Sequence, residues 1–180
     1  MRELSLNILD VAQNSISAGA SLITVEVNES LIDHTLLIGI YDNGKGMSEE
    51  QVKSVIDPFF TTRTTRKVGM GIPLFKMAAE QTGGRLEIKS QVGVGTEVRA
   101  YFKTDSVDFT PLGDVAGTVQ MLITMNTDRD FLYKHSVDGK EFVADTREIK
   151  GILGDVPLNT YEVSQWLIEF IKENTEVLYK

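Results

Sequence analysis

Asp10-Val11-Ala12-Gln13-Asn14-Ser15-Ile16-Ser17-Ala18-Gly19-Ala20 is the stretch on which the reading of the fold turns. Together with Leu4 and Ile8 before it, Val11, Ala12 and the Ser15-Ile16 pair recur at helical spacing, which predicts a helix over residues 3–17. Gly19 follows as a stop signal. Asn7, Asp10 and Asn14 fall on one face of that helix, between apolar flanks. Such a stripe must reach water or be satisfied by a partner. The amide oxygen of Asn14 suits a hard cation such as Mg²⁺. Asp10, one turn earlier, is placed to orient or deprotonate a nearby water or hydroxyl. Taken alone, the stripe reads first as the wet side of an ordinary amphipathic helix.

Outward from the helix, 22–28 and 35–41 are rich in Ile, Val, Leu and Thr and predict two strands around a polar turn. Ser48-Glu49-Glu50-Gln51 is a capping-box pattern opening a short helix to about Ile56. Residues 57–68 read as a loop, and 71–81 as a helix closed by Gly83-Gly84. Residues 85–91 and 96–103 predict a further strand pair around Gly93-Val94-Gly95. After a polar stretch at 105–117, 118–125 and 130–145 read as strands, the latter folded at Asp138-Gly139, and 146–153 and 160–179 as helices.

Three further motifs carry chemistry. Asp42-Asn43-Gly44-Lys45-Gly46-Met47 directly follows a strand. A carboxylate there can accept from an exocyclic amine such as that of adenine, and charged acceptors make the stronger bonds. Gly44 and Gly46 let the chain pass close to a flat ring, though Asn-Gly is also a common surface turn. Gly69-Met70-Gly71-Ile72-Pro73-Leu74 ends a loop and opens a helix whose free N–H groups form an anion site, or simply a glycine-rich entry. Ahead of it, Arg63, Arg66 and Lys67 either close over phosphates or are solvated loop charges. Gly93-Val94-Gly95-Thr96 opens a strand, where the Thr96 hydroxyl can share an adenine or a water with Asp42, or the glycines merely make a hairpin.

In this order and on these elements, the motifs resemble the signature boxes of the GHKL superfamily (gyrase, heat-shock chaperone, histidine kinase, MutL). Residues 10–20 resemble its N box, with an Asn-Ser…Ala-Gly-Ala part most like the MutL type; Asp42 to Met47 resemble the first glycine box. Asp57 to Arg63 look like the F box of histidine kinases, and Gly69 to Leu74 like their second glycine box; Gly83-Gly84 and Gly93 to Thr96 complete the kinase-like end. The resemblance covers 3–102 and implies an α+β fold, a two-layer α/β sandwich of the Bergerat type with a small α/β C-terminal extension. It implies ATP and Mg²⁺ as ligands, held by Asn14, Asp42, Gly44, Gly46, Met47, Arg63, Gly69, Met70, Gly71 and Thr96, with Asn14 on the metal and Asp10 as catalytic base. Two departures stand out. Asp10 occupies a place where many family members carry the longer glutamate. The phosphoacceptor histidine of the kinases has no counterpart, since His34 and His135 fall in a turn and a hairpin strand and read as structural or solvated.

Composition agrees. The chain has 180 residues, 42% hydrophobic and 24% charged, ordinary for a globular protein. It divides into a nucleotide-binding segment 1–104 and a small α/β segment 105–180. The first has 11 basic and 12 acidic residues, net −1, and the second 7 and 14, net −7. An acidic surface without a basic stripe speaks against nucleic acid. The absence of cysteine excludes thiolate chemistry. With neither a leader pattern nor a long apolar run, the expected setting is cytoplasmic, without a membrane segment. Three uses of ATP follow, in this order: phosphotransfer to a separate protein partner, slow hydrolysis driving a conformational switch, and nucleotide-gated binding without turnover. On the last helix Trp166, Leu167, Phe170 and Ile171 share helical spacing and read first as core, second as a docking face.

Overall fold

The computed structural model describes residues 3–57 and 70–180. The chain runs α1 (Leu4–Ser17), β1 (Leu22–Ser30), β2 (Thr35–Asp42), α2 (Glu49–Ile56), α3 (Gly71–Gln81), β3 (Arg85–Gln91), β4 (Gly95–Lys103), α4 (Val115–Met125), β5 (Asp130–Val137), β6 (Lys140–Asp145), α5 (Thr146–Leu153) and α6 (Tyr161–Glu176), ending in a 3-10 turn, Val177–Tyr179. The six strands form one sheet in the order β3-β4-β2-β1-β5-β6. All neighbours are antiparallel except β1 and β5, which run parallel with Ile23 opposite Phe131 and Val27 opposite His135.

Alternation along the strands decides which face is covered. Ile23, Val25, Val27, Leu36, Ile38, Ile40, Val98, Ala100 and Phe102 are buried, as are Phe131 and Tyr133. Against them pack Leu4, Ile8 and Val11 of α1, Ile72 and Phe75 of α3, Val119 and Leu122 of α4, and Leu167 and Ile171 of α6. Burying each large aliphatic or Phe side chain is worth roughly 1.5–3 kcal/mol. The result is the anticipated two-layer sandwich. On α6, Leu167 and Ile171 are core, whereas Trp166 is 45% exposed and stacks on Phe170 at 4.8 Å.

One element departs from expectation. Residues 118–125 are not a strand but most of helix α4. Asp114 caps its start by accepting from the Gly117 N–H at 2.9 Å, and Val115, Thr118, Val119, Leu122 and Ile123 are buried at helical spacing. Just before it, the Pro111 and Leu112 carbonyls accept the free N–H groups of Leu4 and Ser5, each at 2.9 Å, so the segment 105–114 closes the start of α1. The capping box at Ser48 forms as read: its hydroxyl accepts from the Gln51 N–H and its own N–H is returned to the Gln51 side chain.

The opposite face of the sheet is polar. Tyr41 lies over Gly39, where any Cβ would overlap the phenol. Its hydroxyl donates to Glu26 Oε1 at 2.7 Å and accepts from Arg99 Nε at 3.2 Å. Burial, then the Glu26 bond, pushes the phenol from 10.0 up to about 12, with Arg99 pulling the other way. The folded value lies above the unfolded one, so this stabilisation is fully present below pH 10 and is lost as pH rises through about 12. Denaturation midpoints of wild type and Tyr41→Phe are therefore expected to differ at neutral pH and to converge over that alkaline window. A difference independent of pH would show that the phenol's ionisation is not linked to folding.

Candidate functional site

The functional side chains collect where α1 ends, β2 ends and α3 begins. Gly19, at φ +76°, turns the chain out of α1 toward β1. Asp42 is the last residue of β2 and pairs directly with Thr96 on β4. Its Oδ2 accepts from the Ser15 hydroxyl of α1 at 2.5 Å, and its Oδ1 from the Gly44 N–H at 2.8 Å. Both carboxylate oxygens are thus fixed by donors, and the side chain remains part-exposed. Beside it lies a concavity of about 230 Å³ lined by Asp42, Ser90, Gly95 and Thr96 among others. A larger one, of about 440 Å³, sits at the far end of β2 and β4 around Thr35, Tyr101 and Lys103, beside Gly83-Gly84 and away from Asp10, Asn14 and Asp42. Chemistry, not volume, identifies the site.

The glycines hold this corner together by close backbone approach. A Cβ on Gly46, at φ +73°, would overlap the Gln91 carbonyl; one on Gly95, at φ +146°, would overlap the Asp42 carbonyl. A Cβ on Gly44 would fall 2.8 Å from the Ala18 methyl. Met47 is anchored by its N–H to Ser90 Oγ at 2.8 Å, and Ser90 lies 2.8 Å from Thr96 Oγ1. Lys45 ties the turn back to α1 through its N–H and the Ala18 carbonyl, 2.9 Å.

Asp10 and Asn14 lie one turn apart on α1. Asp10 is exposed and Asn14 half-buried, and neither side chain has a hydrogen-bond or ion-pair partner among the described residues. The start of α3 packs against Asp10: a Cβ on Gly71 would lie 3.3 Å from that of Asp10. Met70 occupies the N-cap position of α3 and makes no side-chain cap bond; backbone N–H groups at a helix start are donors that suit an anion. A helix start without a side-chain cap, and a carboxylate and an amide oxygen that have no partner among the described residues, suit a phosphate chain with its cation. A half-buried amide oxygen without a partner among the described residues fits Mg²⁺ as one hard ligand among phosphate and water oxygens.

Of the anticipated residues, the structure brings together Asp10, Asn14, Asp42, Gly44, Gly46, Met47, Met70, Gly71 and Thr96. Arg63 and Gly69, with the rest of 58–69, lie outside the described residues. Ser15, Ser90 and Asn43 were not singled out by sequence. Ser15 is a buried hydroxyl on an otherwise apolar helix face, a signal that was present in residues 10–20. The histidines stand apart from the site. His34 is an exposed turn residue at φ +56°. His135 is buried, with Nδ1 2.7 Å from the Tyr133 hydroxyl and Nε2 3.2 Å from Glu29.

Comparison with known proteins places this geometry. A putative sensor protein of Shewanella frigidimarina is 27% identical over 103 residues, 57% of this chain and 15% of its own length. The sensor histidine kinase ZraS of Salmonella typhi is 34% identical over 90 residues, 49% of this chain and 19% of its own. The chain thus spans less than a fifth of the length of these curated relatives. The solved N-terminal domain of a DNA repair protein superposes with a TM-score of 0.62 at 14% identity, covering 86% of this chain and 58% of that one, a likeness of fold. The family model of the histidine kinase-, DNA gyrase B- and HSP90-like ATPases matches residues 1–106, and with more than half of its length so matched the chain belongs to that family.

Proposed function

We propose that the chain binds ATP with Mg²⁺ at the corner formed by α1, β2 and the start of α3, and transfers the γ-phosphate to a separate protein in the cytosol. The observation that carries this reading is Asp10 and Asn14, both without side-chain partners among the described residues, on the helix whose Ser15 holds Asp42 and against whose Asp10 the start of α3 packs. In this reading Asp42 accepts from the adenine amine and Thr96 shares that edge. Met47, Gly44 and Gly46 shape the base pocket, and Met70 and Gly71 offer backbone N–H groups to the phosphates. Arg63 and Gly69 complete the phosphate side. Asn14 holds Mg²⁺, which when bound neutralises phosphate charge. Asp10 takes the proton of an attacking hydroxyl as its oxygen bonds to the γ-phosphorus; the bond to the β–γ bridging oxygen breaks and ADP leaves with the electron pair. In this reading residues 1–104 carry the chemistry, with 105–180 as a small α/β extension.

A second reading, slow hydrolysis driving a conformational switch, is favoured by the extent of the likeness to the DNA repair protein's N-terminal domain. At 86% of the chain, it reaches well beyond the segment 1–106. The third reading is nucleotide-gated binding without turnover. Labelled ATP separates them: label on an added partner protein supports phosphotransfer, phosphate release without protein label supports the switch, and neither, with binding intact, supports the gated module. The Mg²⁺ assignment has its own check. Asn14→Ala is expected to bind ATP with little response to Mg²⁺ in an isothermal titration, and a wild-type Mg²⁺ response would exclude Asn14 as the ligand.

A further inference from the structure

The loop between α1 and β1, residues 18–21, packs against the turn that follows Asp42. The Ala18 carbonyl holds the Lys45 N–H, and Asn43 Oδ1 accepts the Ser21 and Leu22 N–H groups at 2.9 and 3.1 Å. The other side of this loop is gripped by residues beyond the family match at 1–106. Arg129 Nη1 donates to the Ala20 carbonyl at 2.7 Å, and the Asp130 N–H donates to the Ser21 carbonyl at 2.8 Å. Both are held in turn by α5. Lys150 Nζ donates to the Arg129 carbonyl at 3.1 Å and to Asp130 Oδ1 at 3.0 Å, and the Thr146 hydroxyl donates to the same carboxylate oxygen at 3.0 Å.

The Arg129 side chain is only 20% exposed. Its Nε is buried without a hydrogen-bond partner among the described residues, for Asp128 Oδ1 stands 3.7 Å away, beyond bonding range. A buried donor left unpaired is costly. Packing of a long apolar side chain would avoid that cost, so what the arginine adds at this place is its bond to Ala20 and a looser ion pair with Asp128.

We propose that Arg129 is a positioning residue for the nucleotide site. With α5 behind it, it fixes the 18–21 loop, and through Ala18 and Asn43 it fixes the Asp42–Lys45 turn, so the extension and the bound nucleotide are energetically coupled. The proposal rests on the ATP reading above. Coupling of binding free energies is reciprocal. Nucleotide must therefore tighten the Arg129–Asp130 corner as that corner tightens nucleotide binding.

The full chain tests this with Arg129→Ala, Arg129→Lys and Trp166→Ala. Arg129→Ala should weaken ADP binding about 2- to 30-fold, the usual range for such coupling. Arg129→Lys should recover part of the loss, since lysine keeps a donor for the Ala20 carbonyl. Trp166→Ala, which loosens the aromatic stack on α6 without touching the loop, should bind like wild type. Saturating ADP should slow exchange of the Asp130 amide in wild type. Wild-type affinity in folded Arg129→Ala overturns the proposal, as does an equal loss in Trp166→Ala. The exchange measurement needs no variant, and unchanged exchange at 129–131 on saturation also overturns it. Failure of wild type to bind any adenine nucleotide is a separate outcome that overturns the ATP reading itself.

Discussion

Replacing Asp10 by asparagine is expected to lower ATP turnover ~10²–10⁴-fold, the usual worth of a positioned general base. Asparagine keeps the shape and removes the proton acceptor. Asp10 has no partner among the described residues that its loss would orphan, and it is exposed, so the variant should fold like wild type. Nucleotide affinity should hardly change, because the base acts only in the transition state. Asp10→Glu restores the longer side chain many relatives of this family carry, and should keep or raise turnover. Single-turnover assays with labelled ATP read all three proteins side by side. Asparagine at wild-type rate would show that Asp10 is only the wet side of a helix.

The second large effect concerns Asp42. Asp42→Ala is expected to weaken ATP binding by about 1.5–3 kcal/mol, the value of a hydrogen bond to a charged group, or roughly 10- to 150-fold in Kd. Alanine also orphans the Ser15 hydroxyl, which is 3% exposed, and the Gly44 N–H. Lost affinity could then reflect a loosened turn. Asp42→Asn separates the two effects. Its amide can still meet Ser15 and Gly44 with one oxygen and one nitrogen, but it carries no charge and turns a donor toward one of the acceptor positions. It should remain folded, lose most of the affinity, and discriminate less between ATP and GTP. Unchanged affinity and selectivity in folded Asp42→Asn would remove Asp42 from base recognition.

How much of this was visible in the residues depended on range. Helix α1, the β1–β2 and β3–β4 pairs, the Ser48 cap and the β5–β6 hairpin rest on contacts between near neighbours, and periodicity and turn chemistry report those directly. In sequence, helix α4 reads as a strand because Val119, Leu122, Ile123 and Thr124 supply bulky and β-branched residues. Their burial at helical spacing and the Asp114 cap carry the opposite message. The parallel pairing of β1 with β5 joins residues more than a hundred positions apart, and no local pattern encodes it. At the site, the family-like motifs located Asp42 and the end of α1. They did not reveal that Ser15 aims the Asp42 carboxylate or that Ser90 links Met47 to Thr96, since both serines act through partners distant in sequence.

That parallel pairing has a consequence for cutting the chain. β1 lies inside the sheet, between β2 and β5. Ending the polypeptide at Thr104 would make β1 an edge strand, with the N–H and C=O groups along Leu22–Ser30 that now meet β5 turned toward solvent. Ile23 and Val25 would lose Phe131 and Tyr133 as neighbours on the same side. A long, apolar, unpaired edge is a template for pairing with other chains and for aggregation. The half of the molecule that holds every nucleotide motif therefore depends, for staying in solution, on the half that holds none.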